Sequence, residues 1–140
     1  MQVFNNIHDV NVEAISDGQL YIYVVENNPQ GNIKIGRSRN PKQRLQSLSG
    51  SNSGGNKIGR CAISDVTYLY VLEQMAHDHF EKFRISGTEW FDGEQMTFED
   101  AINFVESLFH REDYEHCNAV RKKAYEMGIY TNRSVFAKEE

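Results

Sequence analysis

Two short runs of β-branched and aromatic residues, Tyr21-Ile22-Tyr23-Val24-Val25 and Ile33-Lys34-Ile35-Gly36, flank the segment Glu26-Asn27-Asn28-Pro29-Gln30-Gly31-Asn32. Asn, Pro and Gly between two such runs are turn chemistry, so the stretch predicts a β-hairpin with strands at 20–26 and 32–37. Alternation puts Tyr21, Tyr23 and Val25 on one face of the first strand and Ile22 and Val24 on the other. Asn40 is a good N-cap and Pro41 suits the first helical position, which predicts a helix over about 41–48. Arg44 then closes that helix's first turn, near the strand ends that carry Tyr23 and Lys34.

The rest of the chain is less constrained. Val3, Phe4, Ile7, Val10, Val12 and Ile15 predict a short strand or helical turn packing on the core, ended by the turn Ser16-Asp17-Gly18. Residues 49–56 are a Gly/Ser/Asn loop, and 57–64 read as a third strand. Leu69, Leu72, Met75, Ala76, Phe80 and Phe83 recur at helical spacing and predict a helix over about 66–84. On it Glu73 and His77 are four apart, so they stack at the edge of the apolar stripe. Ser86-Gly87 ends this helix, and Glu89-Trp90-Phe91 suits an edge strand, with Trp90 as a core anchor and Phe91 in a similar role. Thr97 to Asp100 open another helix, with Ala101, Ile102, Val105, Leu108 and Phe109 as its apolar face. A last helix spans about 113–127 and ends at Gly128.

The net charge of −5 argues against a nucleic-acid partner until its distribution is considered. Between Gln30 and Ile63 the chain has seven basic residues, Lys34, Arg37, Arg39, Lys42, Arg44, Lys57 and Arg60, and no Asp or Glu. A local basic surface on an acidic body suits a phosphate backbone. Cys61 and Cys117 are too few and too far apart for a zinc site and read as reduced thiols. With no long apolar run and no signal-like N-terminus, the expectation is a soluble, cytoplasmic protein with no membrane association.

Tyr21-Ile22-Tyr23, Lys34-Ile35-Gly36, Arg44, Leu72-Glu73-Gln74-Met75-Ala76-His77 and Glu89-Trp90-Phe91 together resemble the GIY-YIG endonuclease superfamily. The resemblance is to its phage and bacterial open-reading-frame branch, which has K-I-G as second motif and closes on E-W-F. Tyr23 and Gly36 are 13 apart and Gly36 and Arg44 are 8 apart, spacings that suit the family. Tyr21 replaces the family's first glycine, and Lys34 replaces its second tyrosine.

The resemblance implies a metal-dependent endonuclease acting on DNA, nicking by default. Such hydrolysis needs an activated water, neutralisation of developing charge and help for the leaving oxygen. By resemblance Tyr23 is the general base or proton relay and Arg44 holds the scissile phosphate. Glu73 carries one Mg²⁺ or Mn²⁺, with Glu89 as the alternative carboxylate. Lys34 takes part of the missing tyrosine's role, by charge near the phenol or by touching phosphate. His77 stabilises the leaving group or positions Glu73. Arg37, Arg39, Lys42, Lys57 and Arg60 would supply nucleic-acid contacts. No residue is assigned to the family's late asparagine. The alternative is therefore an inactive nucleic-acid- or protein-binding module on the same fold.

The expected fold is α+β: a small three-stranded sheet, built on the hairpin, flanked by helices and followed by two additional C-terminal helices. The expected organisation is an N-terminal extension (1–19), a nuclease core (20–92), a helical extension (93–130) with a possible homodimer surface, and a tail (131–140).

Overall fold

The computed structural model describes residues 1–12, 14, 20–28, 30–50, 57–64 and 71–109. Its centre is the strand β2 (Tyr21–Asn28), which pairs antiparallel with β3 (Ile33–Ser38) on one side and β4 (Lys57–Ile63) on the other. The sheet has four strands where three are expected, because Gln2–Phe4 forms β1 and pairs antiparallel with β4. The order is β1-β4-β2-β3. Three helices complete the described fold: α1 (Pro41–Gly50), α2 (Val71–His79) and α3 (Phe98–Phe109).

The run from Ile22 to Val25 lacks polar alternation because β2 is covered on both faces, as central strands are in sheets that carry helices on either side. Ile22 and Val24, with Ile33, Ile35 and Ala62, pack against Leu72, Ala76 and Phe80 of the α2 region and Phe98, Ala101 and Val105 of α3. Tyr23 and Val25, with Cys61 and Ile63, pack on the opposite face against Leu45 of α1 and Phe4, Ile7 and Val10. Burial pushes the Cys61 thiol up to about 11, so it is a packing residue rather than a nucleophile.

Local chemistry sets the helix starts. The Asn40 side-chain oxygen accepts from the Gln43 backbone N–H (3.2 Å), as an N-cap should. Thr97 and Asp100 cap each other reciprocally at the start of α3, at 3.0 Å in both directions. The stretch expected as one helix over 66–84 is α2 followed by a short 3-10 turn, Glu81–Phe83; residues 65–70, including Leu69, lie outside the described residues. So do most of the Gly/Ser/Asn loop (51–56) and the whole 113–127 helix.

Phe91, rather than Trp90, is the anchor of the closing motif. Phe91 is fully buried and exchanges two backbone hydrogen bonds with Ile33 (2.7 and 2.9 Å), while Trp90 packs at the periphery of the Tyr23 cluster. This pairing covers one end of the free edge of β3 and brings Glu89 beside the strand. No helix among the described residues is long and apolar enough to cross a membrane. Of the C-terminal helices expected to offer a homodimer surface, α3 turns its apolar face onto the sheet of its own chain, and the 113–127 helix lies outside the described residues.

Candidate active site

Tyr23 and Gly36 are direct cross-strand partners in β2 and β3. The tyrosine ring lies over the glycine, so close that a Cβ at position 36 would stand 2.4 Å from Cζ and from the hydroxyl oxygen. Leu45, fully buried, fastens α1 to the same sheet face and sets its neighbour Arg44 at the rim. From there the Arg44 Nε–H donates to the phenol oxygen (3.4 Å). Burial raises the Tyr23 pKa and outweighs the opposing effect of the Arg44 hydrogen bond and charge; Glu73 and Glu89 add to the rise. The phenol therefore keeps its proton at neutral pH. The Arg44 guanidinium is held charged, chiefly by its bond to Tyr23.

Lys34 lies on the same face of β3 as Gly36 and is only 5% exposed. Its Nζ donates to Glu89 Oε1 at 2.6 Å. A buried ammonium needs such a partner, since desolvation otherwise disfavours its charge. Lys34 holds the Glu89 carboxyl below the usual carboxylate range by hydrogen bond and by charge, with smaller help from Arg44 and His77. The cation hydrogen-bonded to the Tyr23 phenol is Arg44, while the Lys34 ammonium is turned to Glu89.

Glu73 and His77 come from α2, on the far side of the sheet edge. The His77 Nε2–H donates to the Ile35 carbonyl (2.6 Å), which fixes the tautomer, and the ring meets the Phe91 ring edge-on at 5.6 Å. His77 Nε2 is 3.9 Å from Glu73 Oε2, and Arg37 Nε is 3.3 Å from Glu73 Oε1. Four elements thus bring these groups to the free edge of β3: Tyr23, Lys34 and Arg44 on one face of the sheet, and Arg37, Glu73 and His77 on the α2 face, with Glu73 and Glu89 both close enough to act on the Tyr23 phenol. Among the described residues no group of three or more His, Cys, Asp or Glu side chains converges on a metal-sized space. Mg²⁺ does not ask for such a cluster: it commonly takes one or two carboxylates and completes its shell with water and phosphate oxygens. Glu73, about a fifth exposed, fits that donor set.

The expected nucleic-acid contacts divide. Arg37 and Arg39 are exposed beside this rim, and Lys42 is exposed on the first turn of α1, where it lines a shallow pocket of about 200 Å³ with Val12, Ala14, Asn40, Gln43 and Gln46. Lys57 pairs with Asn28 at the other end of β2, about 16 Å along the strand from Tyr23. Arg60 is not brought to the site. It lies on the α3 face of the sheet, bound to Glu26 (2.8 and 3.0 Å) and Glu99 (2.9 Å), with its guanidinium over the Phe98 ring. Sequence reasoning missed Glu89 as the partner of Lys34 and Arg37 as the partner of Glu73. The only signal for either was proximity to the motifs.

A protein-family model described as the T5orf172 domain matches residues 18–109. No curated protein and no solved structure matches the chain.

Proposed function

The chain belongs to the T5orf172 domain family, whose phage and bacterial proteins have nuclease-like, GIY-YIG-related associations, and from that premise we propose that it is a metal-dependent endonuclease that nicks DNA. The observation that carries this reading is the bonded pair of Tyr23 and Arg44 beside the free edge of β3, the strand that also carries the Lys34–Glu89 and Arg37–Glu73 ion pairs. A buried phenol against a rim guanidinium has little use in packing alone, where a phenylalanine would serve.

In this reading Arg44 binds the scissile phosphate with its outer N–H groups, a planar fork matched to two phosphate oxygens. Tyr23 accepts from Arg44 and so has its own O–H to offer; it orients the attacking water and relays its proton, rather than standing as a phenolate. Lys34 adds fixed positive charge beneath the phosphate, held in place by Glu89. His77, fixed by its bond to Ile35, packs beside the Glu73 carboxylate and limits where it can move. Glu73 would hold a single Mg²⁺ or Mn²⁺, which when bound supplies neutralisation of charge on the phosphate and leaving oxygen. One such centre cuts one strand at a time.

The test is incubation of supercoiled plasmid with Mg²⁺ or Mn²⁺ and the wild type, Glu73→Ala or Arg44→Ala. Conversion to nicked circle by the wild type, lost in both variants, is the expected result. Absence of cleavage by the wild type, with salt-sensitive DNA binding that Arg44→Ala weakens, would replace the nuclease with a binding module.

A further inference from the structure

We propose that Arg37 occupies the Glu73 carboxylate when no divalent cation is bound and releases it when cation and DNA phosphate arrive together, so that the two bind cooperatively. This rests on the reading of Glu73 as the cation's carboxylate.

Glu73 stands in the first turn of α2, and Arg37 follows Gly36 on β3. The guanidinium Nε is 3.3 Å from Oε1, while His77 Nε2 is 3.9 Å from the other oxygen and has given its hydrogen to the Ile35 carbonyl. The close cation on Oε1 is thus the arginine. A divalent ion on either oxygen of this carboxylate would stand within a few ångström of the guanidinium, and like charges that close repel. A guanidinium does not escape by losing its proton, so Arg37 must swing away. Its side chain is exposed, on the strand that also carries Lys34, so a DNA phosphate at the rim is within the reach of that swing. Without phosphate, the ion must break the Arg37–Glu73 pair with no second oxyanion to replace it. With phosphate, Arg37 exchanges one oxyanion for another. Linkage then requires the cation to tighten DNA by the same factor that DNA tightens the cation.

The discriminating readout is Mn²⁺ affinity in the absence of DNA, followed by the electron paramagnetic resonance signal of free Mn²⁺. Arg37→Gln is expected to bind Mn²⁺ about two- to fivefold tighter than wild type, the scale of a partly exposed ion pair. Arg37→Lys, which keeps a competing charge, stays near wild type, and Arg39→Gln, which removes the same charge next door, changes affinity less. Duplex affinity by fluorescence anisotropy, with and without Ca²⁺ as an oxygen-seeking cation, should show a cation-dependent gain that shrinks in Arg37→Gln. Mn²⁺ binding by Arg37→Gln that is unchanged or weaker than wild type would overturn the proposal and make Arg37 a simple positioning partner. If Glu73→Gln binds Mn²⁺ as well as wild type, Glu73 is not the cation's ligand, and the functional reading of that residue fails with the proposal.

Discussion

A methyl group at position 36 would stand 2.4 Å from two atoms of the Tyr23 side chain, and 2.9 Å from a third. The ring has nowhere to retreat: it is 2% exposed and packed in a cluster with Val25, Leu45 and Ile63. Gly36→Ala should therefore cost about 1–3 kcal/mol, as overpacking does, and also lift the phenol away from Arg44. We expect a lower denaturation midpoint in urea and a loss of plasmid nicking larger than that stability change explains. This part of the site was legible in the sequence. Tyr23, Gly36 and Arg44 lie within 22 residues, and a hairpin followed by a capped helix leaves little freedom in how they meet. The Lys34–Glu89 pair was not legible, since its partners are 55 positions apart. Nor did the sequence separate Trp90 from Phe91, because only the backbone pairing with Ile33 decides which ring turns inward.

At the scale of elements, one arginine ties α3 to the sheet. Arg60 on β4 gives Nε and Nη2 to the two carboxylate oxygens of Glu26 on β2, gives Nη1 to Glu99 on α3, and covers the Phe98 ring at 4.5 Å. Arg60→Ala leaves the Glu26 carboxylate, about a fifth exposed, without those two donors. The expected loss is about 1–3 kcal/mol by thermal unfolding, above that of an ordinary surface pair. Duplex affinity by fluorescence anisotropy should fall less than it does for Arg44→Ala. From sequence, Arg60 is simply one more cation in a basic window. Its face is set by an irregularity in the β2–β4 pairing between Val25 and Asn27, which leaves Ile58 and Cys61 on one face despite their odd spacing. Strict alternation cannot anticipate that shift. The first strand was open for a similar reason: three residues carry little signal, and Gln2 finds its partner at Ile63.

Over the whole molecule, charge is divided rather than spread. The basic window from 30 to 63 has no acidic residue of its own, yet Lys34, Arg37 and Arg60 each meet a carboxylate from outside it. An acidic chain thus presents cations at one rim while its own carboxylates hold several of them in place, and a phosphate backbone must compete for those held cations. In the proposed nuclease Tyr23 and Arg44 act there as one hydrolytic unit. The most direct test is the single-turnover nicking rate of Tyr23→Phe, Arg44→Ala and the double variant in Mg²⁺. Each single variant is expected to lose about 100-fold or more, and the double to lose little beyond the worse single, as for groups that serve one step together. Losses that multiply, or a Tyr23→Phe rate equal to wild type, would contradict it.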